Sequence, residues 1–152
     1  MEIKSRAFNN MGSIPERYTC DGDNINPPLE ILDIPNPTKS LALIVDDPDA
    51  PNGTWVHWLM WDIPIENHSI KEGEPPVDCV YGTNSFARLE YGGPCPPSGT
   101  HRYFFKVYAL SKTVQLPEGA TKEELMSAIG EYKIDSAQLV GLYSRNGRGN
   151  RT

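Results

Sequence analysis

Fourteen prolines and thirteen glycines are spread through 152 residues rather than gathered into a linker. Proline ends helices and is barred from central strands, and glycine marks turns and bends. The segments between them are short, and short runs punctuated in this way favour an all-β chain with irregular loops. The length fits a single domain over residues 1–152, large enough to bury a core without covalent staples.

The stretch Ser40 to Pro64, SLALIVDDPDAPNGTWVHWLMWDIP, organises the rest. Leu41 to Val45 is an apolar run suited to a buried strand. It ends in Asp46-Asp47-Pro48-Asp49-Ala50-Pro51-Asn52-Gly53, a turn rich in carboxylates. Thr54 to Ile63 then reads as a second strand, and strict alternation would put Trp55, His57, Leu59 and Trp61 on one face. A histidine just inside the second strand, beside an acidic turn, places polar groups at the rim of an apolar core.

Elsewhere the pattern predicts strands at Ile3–Phe8, Leu29–Leu32, His101–Leu110 and Ala137–Ser144, with loop over Glu66–Val77 and no clear periodicity in Gly82–Arg88. In the strand from His101, both faces carry aromatics, which suits a sheet covered on both sides over part of its length. Glu90 to Gly99, EYGGPCPPSG, crowds three prolines and three glycines into ten residues and must be loop. One helix is expected after Thr121, whose spacing to Glu124 makes a capping box, with Leu125, Met126 and Ile129 as its apolar stripe and Gly130 to Tyr132 at its end.

A net charge of -6 argues against a nucleic-acid partner. The basic end Arg145–Thr152 reads as a solvated tail rather than a binding arm. No apolar stretch approaches membrane-spanning length, and MEIKSRAFNN shows no apolar leader, so the expected location is cytoplasmic. Cys20, Cys79 and Cys95 are far apart, without a C-x-x-C pair. Free thiols are the default expectation, with a Cys20–Cys79 or Cys20–Cys95 disulfide left open, and a structural zinc site is not expected.

Two loop–strand junctions share a grammar. Asp47 with Trp55 and His57 forms one; Gly93, Pro94, Cys95, Pro96 and Pro97 followed by His101 and Tyr103 forms the other. A carboxylate orients a histidine and favours its charged form. Glycines let backbone N–H groups approach a ligand, and prolines fix a loop beforehand. Tyr and Trp add donors to an apolar wall. Together these would suit a phosphate or acetate-like group, provided that His57 and His101 converge near Asp47. The competing reading is structural: histidines satisfied on a strand, aspartates closing an Asx turn, and Trp55, Trp58 and Trp61 packing the core.

Asp47-Pro48-Asp49-Ala50-Pro51 followed by Trp55-Val56-His57-Trp58 resembles the central motif of the phosphatidylethanolamine-binding protein family. Gly92-Gly93-Pro94-Cys95-Pro96-Pro97-Ser98-Gly99-Thr100-His101-Arg102-Tyr103 resembles its second motif in the form of the prokaryotic Raf-kinase-inhibitor-like branch. Tyr18-Thr19-Cys20-Asp21-Gly22 and Asn26-Pro27-Pro28-Leu29 are similar to that branch's N-terminal segment. The resemblance implies two packed antiparallel sheets, a Greek-key-like β-sandwich with one short helix near the C-terminus. It also implies a small anion pocket using Asp47, Trp55, His57, His101 and Tyr103 with backbone from Gly93 to Pro97, and no cofactor. Many animal members have glycine where Cys95 stands, and the longer C-terminal helix of those members is missing here.

Three functions follow as expectations. The first is a non-catalytic module binding a small anion, phosphate, phosphoethanolamine or carboxylate, with a regulatory role and a homodimer as in prokaryotic relatives. The second is an inhibitor docking on a kinase or protease through the loops Asp46–Gly53 and Glu90–Thr100. The third is a Cys-His-Asp hydrolase built on Cys95, His101 and Asp47. It is the weakest, because Cys95 lies between prolines and not at a helix N-terminus that would lower its pKa.

Overall fold

The computed structural model describes residues 1–145. Two sheets form the body. The larger runs in the order β2 (Gly12–Ser13), β9 (Lys133–Ser144), β8 (Thr100–Leu110), β4 (Ser40–Asp47), β5 (Trp55–Ile63) and β7 (Val80–Tyr81). The smaller is β1 (Glu2–Lys4), β3 (Leu29–Leu32) and β6 (Ser69–Ile70). All pairings are antiparallel except β2 with β9, a two-residue parallel contact.

β4 lies between β5 and β8, and every one of its residues is buried. That explains its unbroken apolar run, since a strand covered on both faces has no solvent side to alternate with. Leu41, Leu43 and Val45 join Ile3, Leu29, Ile31, Ile70 and Phe105 in the core between the sheets. Ala42 and Ile44 face the other way and pack with Leu59, Trp61, Leu125 and Ile129 under helix α1 (Lys122–Ile129). The helix starts as expected: Thr121 Oγ1 accepts from the Glu124 N–H, and Glu124 Oε1 accepts from the Thr121 N–H. Met126, placed in the apolar stripe by the sequence, instead lies largely toward solvent.

The alternation expected along β5 fails at His57. Val45 pairs with Trp58 but Asp46 pairs with Val56, so His57 is an extra residue in a β-bulge. A bulge re-aims side chains: Trp58 enters the core between the sheets and His57 packs against Tyr103 on that same side, whereas Leu59 and Trp61 belong to the helix face. Trp55, His57, Leu59 and Trp61 therefore do not share a face. A second register shift between Leu41 and Leu43 is absorbed near Asp62, which adopts φ 56 while its Oδ1 accepts from the Val114 N–H.

Other expectations need correction at their edges. The strand foreseen over Ile3–Phe8 stops at Lys4, and Phe8 packs into the core from a loop. Two short strands, β6 and β7, occupy segments that carry no periodic signal, because two residues are too few to show one. Cys20 and Cys95 form a disulfide across 75 residues of sequence, so the default reading of free thiols holds only for half-buried Cys79. Of the expected basic tail, Arg145 pairs with Asp21; the remainder lies outside the described residues.

Candidate functional site

The carboxyl end of β4, the start of β5 and the start of β8 meet at one rim of the larger sheet. Antiparallel pairing of β4 with β8, in the register Asp46 to Phe104, brings the two histidine-bearing segments side by side. A cavity of about 190 Å³ opens there. Asp47, Trp55, His57, Cys95, Pro96, Pro97, His101 and Tyr103 line it, joined by Ala50, Pro51 and Phe86.

Asp47 serves both roles weighed for it. Its Oδ1 accepts from the Asp49 N–H at 2.8 Å and closes the acidic turn. Its Oδ2 lies 2.6 Å from Nδ1 of His101. A carboxylate oxygen accepts, so Nδ1 of His101 carries the proton and Nε2 remains for the cavity. His57 is held in a parallel way: its Nδ1 donates to the Gly92 carbonyl at 2.7 Å. Burial pushes His57 below its ordinary pKa, against the opposing pull of the Gly92 carbonyl and of Asp47. Tyr103 is pushed upward, first by burial and then by Asp47, so its hydroxyl stays protonated. That hydroxyl is buried and has no hydrogen-bond partner among the described residues.

The walls are aromatic. Trp55, expected in the core, is 39% exposed at the mouth and meets Phe86 edge-on at 5.3 Å. Phe86 also contacts the His57 ring at 5.5 Å. Outside the cavity, Arg102 clamps Asp49 with its Nε, its Nη2 and its backbone N–H, holding that carboxyl down at about 2.

Gly93 and Pro94, both expected as ligand-binding residues, do not line the cavity; they tether its loop. The Gly93 N–H donates to Asn24 Oδ1, and a Cβ on Gly93 would collide with that oxygen and with the Tyr18 carbonyl. The Pro94 carbonyl accepts from the Cys20 N–H, beside the Cys20–Cys95 bond. Cys95 thus lines the cavity as half of a disulfide. With no thiol on Cys95, the Cys-His-Asp hydrolase reading has no nucleophile.

Sequence reasoning missed Phe86, Ala50, Pro51 and the residue that positions Phe86, Asn84. Buried Asn84 donates from Nδ2 to the carbonyls of His57 and Glu90, and its Oδ1 accepts from the N–H groups of Phe86 and Arg88. Nothing in Gly82–Arg88 signals this, since a turn held by one side chain has no period. Ala50 and Pro51 were visible within the acidic turn and its motif, but not as cavity residues.

Residues 4–144 match the family described as phosphatidylethanolamine-binding protein. The chain belongs to that family. A UPF0098 protein of Methanothermobacter thermautotrophicus is 48% identical over 150 residues, covering 95% of this chain and 99% of the relative. Among solved structures, the phosphatidylethanolamine-binding protein homologue CT736 of Chlamydia trachomatis superposes with a TM-score of 0.90 at 38% identity, covering 94% of this chain and 96% of that one. E. coli YbcL, described as a new member of the mammalian family, gives 0.87 at 28% identity, covering 94% and 97%. No helix among the described residues is long and apolar enough to cross a membrane.

Proposed function

We propose that this protein binds a small oxyanion, a phosphate, phosphoethanolamine or carboxylate group, in the cavity between β4, β5 and β8, without chemical turnover. The observation that carries this reading is the unpartnered Tyr103 hydroxyl, buried on the cavity wall beside two imidazoles whose Nδ1 atoms are already fixed. A buried donor without a partner costs about 1–3 kcal/mol, and an acceptor oxygen in the cavity would recover it. Asp47 offsets a positive charge on His101, and the loop 92–97 is tethered before any ligand arrives, which lowers the cost of ordering it. The phosphatidylethanolamine named in the family's description supports a phosphoryl group as one such ligand.

A regulatory role, in which occupancy changes what the aromatic mouth contacts, belongs to the same reading. So does a cytoplasmic location, in a setting where Cys20–Cys95 persists; such bonds are rare in reducing cytosol outside hyperthermophiles. Calorimetry with inorganic phosphate from pH 5.5 to 8.5 tests the central claim. Binding is expected to weaken as pH rises and to vanish in His57→Ala and His101→Ala. Absence of binding at every pH would remove it.

A further inference from the structure

The two imidazoles are fixed by different partners, and the difference bears on which anions fit. His101 gives its Nδ1 proton to a carboxylate, so a positive charge on that ring is compensated by Asp47 at 2.6 Å. His57 gives its Nδ1 proton to a backbone carbonyl, which carries no charge. The Gly92 N–H donates in turn to the His57 carbonyl at 3.0 Å, and Asn84 Nδ2 donates to that same oxygen, so the ring and its backbone are locked to the loop together. A carbonyl oxygen can only accept. The neutral form of His57 is therefore the Nδ1-protonated tautomer, and the nitrogen left for the cavity, Nε2, offers a lone pair.

From this geometry we infer that His57 is a specificity-determining residue that selects an oxyanion bearing its own proton, such as hydrogen phosphate or a protonated phosphomonoester, over a fully ionised oxyanion such as sulfate. The inference rests on the anion-site reading above. A P–O–H group donates to Nε2 of His57 while another oxygen of the same anion accepts from the Tyr103 hydroxyl. Sulfate has no proton to give in this pH range. Its oxygen meets the lone pair unless Nε2 first takes a proton from solvent, and burial opposes that step.

The groups facing His57 set the pH dependence. Asp47 and, more distantly, Asp46 on β4 favour its charged form, as do the carbonyls of Gly92 and Gly93. Tyr103 on β8 meets it as a neutral ring, and Phe86 contributes only apolar surface. His101, when charged, opposes a second charge in the same cavity. Burial outweighs these favourable contacts, so the ring is neutral at neutral pH with its lone pair available.

Titration calorimetry of the full chain with sodium phosphate and with sodium sulfate, between pH 5 and 8, tests this. Below the His57 transition the two anions are expected to bind within a few-fold of one another. Above the His57 transition, sulfate affinity should fall about tenfold per pH unit, while phosphate, which keeps at least one P–O–H group throughout this range, should lose less. By pH 7.5 phosphate should win by about tenfold or more. His57→Gln, which can turn an N–H toward the cavity, should bring the two anions close together at every pH. Should that variant not fold, nitrogen NMR of the wild-type ring gives an independent reading: a pyrrole-like Nδ1 and a pyridine-like Nε2 are expected near neutrality. Equal affinities for both anions across the range, or the opposite tautomer, overturn the inference while leaving the anion site standing. Failure of both anions to bind at any pH overturns the anion site and this selectivity with it.

Discussion

Asp46 and Asp47 follow one another on β4, and both are almost fully buried, at 1% and 3% exposure. Their side chains leave the strand on opposite faces. Asp46 turns toward the helix side and receives Lys106 at 3.2 Å and Lys122 at 2.7 Å. Asp47 turns toward the cavity, where its Oδ2 pairs with His101 while its Oδ1 accepts from the Asp49 N–H. Lysine carries a near-permanent charge, so the Asp46 cluster is a fixed ionic fastening between β4, β8 and the start of α1. An imidazole has two nitrogens, so with Nδ1 of His101 held by Asp47 the cluster still presents Nε2 to the cavity. Two adjacent carboxylates thus divide between holding the fold and equipping the site, and the choice of cationic partner makes the division.

The sharpest way to break this contrast is to strip Asp46 of both cations. Lys106→Met combined with Lys122→Met leaves a buried carboxylate unpaired, with an Oδ1 that already lacks a hydrogen-bond partner among the described residues. A loss of about 3–5 kcal/mol in denaturant unfolding is expected, with phosphate affinity in the folded fraction unchanged. A large loss of affinity would show that the two faces are not separable.

A smaller effect is expected on the cavity side from cutting its covalent tether. Cys20→Ala with Cys95→Ala opens a link closed across 75 residues. It should cost about 2–4 kcal/mol of stability by the unfolded-chain argument. The loop should keep its place through the Cys20 N–H to Pro94 carbonyl and Gly93 N–H to Asn24 hydrogen bonds, so phosphate should still bind. Loss of binding would make the disulfide part of the site rather than a support for it.

The smallest effect is the pH signature of the cavity itself. Folding lowers the pKa of His57 from 6.5, so the unfolded chain takes up the proton first. Stability is then full above pH 6.5 and declines as pH falls through 6.5 toward the lower folded value. Thermal unfolding without anion should show that decline, and His57→Gln should flatten it. An unchanged slope in the variant would assign the acid sensitivity to another group.

Much of this was legible in the residues, and for local reasons. Leu41 to Val45 is a strand because its side chains demand cover on both faces. Thr121 and Glu124 start a helix because each satisfies the other's backbone donor. The segment from Pro48 to Gly53 and the crowd of prolines after Gly93 had to be loops, although Asp46 and Asp47, expected in the turn, instead extend β4; the motif resemblance named Asp47, His57 and His101 together.

What the chain alone could not give was set by contacts between distant segments. Alternation in β5 is a local rule, but the bulge at His57 arises from its register against β4 and re-aims the histidine. Phe86 reaches the cavity only because Asn84 bonds across to the His57 and Glu90 carbonyls. Cys20 finds Cys95 rather than Cys79 because the Asn24 segment and the Pro94 carbonyl hold two loops together. Sequence determined which side chains could bear a proton or a charge, since that is a property of each residue. Tertiary structure decided which nitrogen of each histidine is left over, since that depends on whether its neighbour across the fold is a carboxylate or a carbonyl.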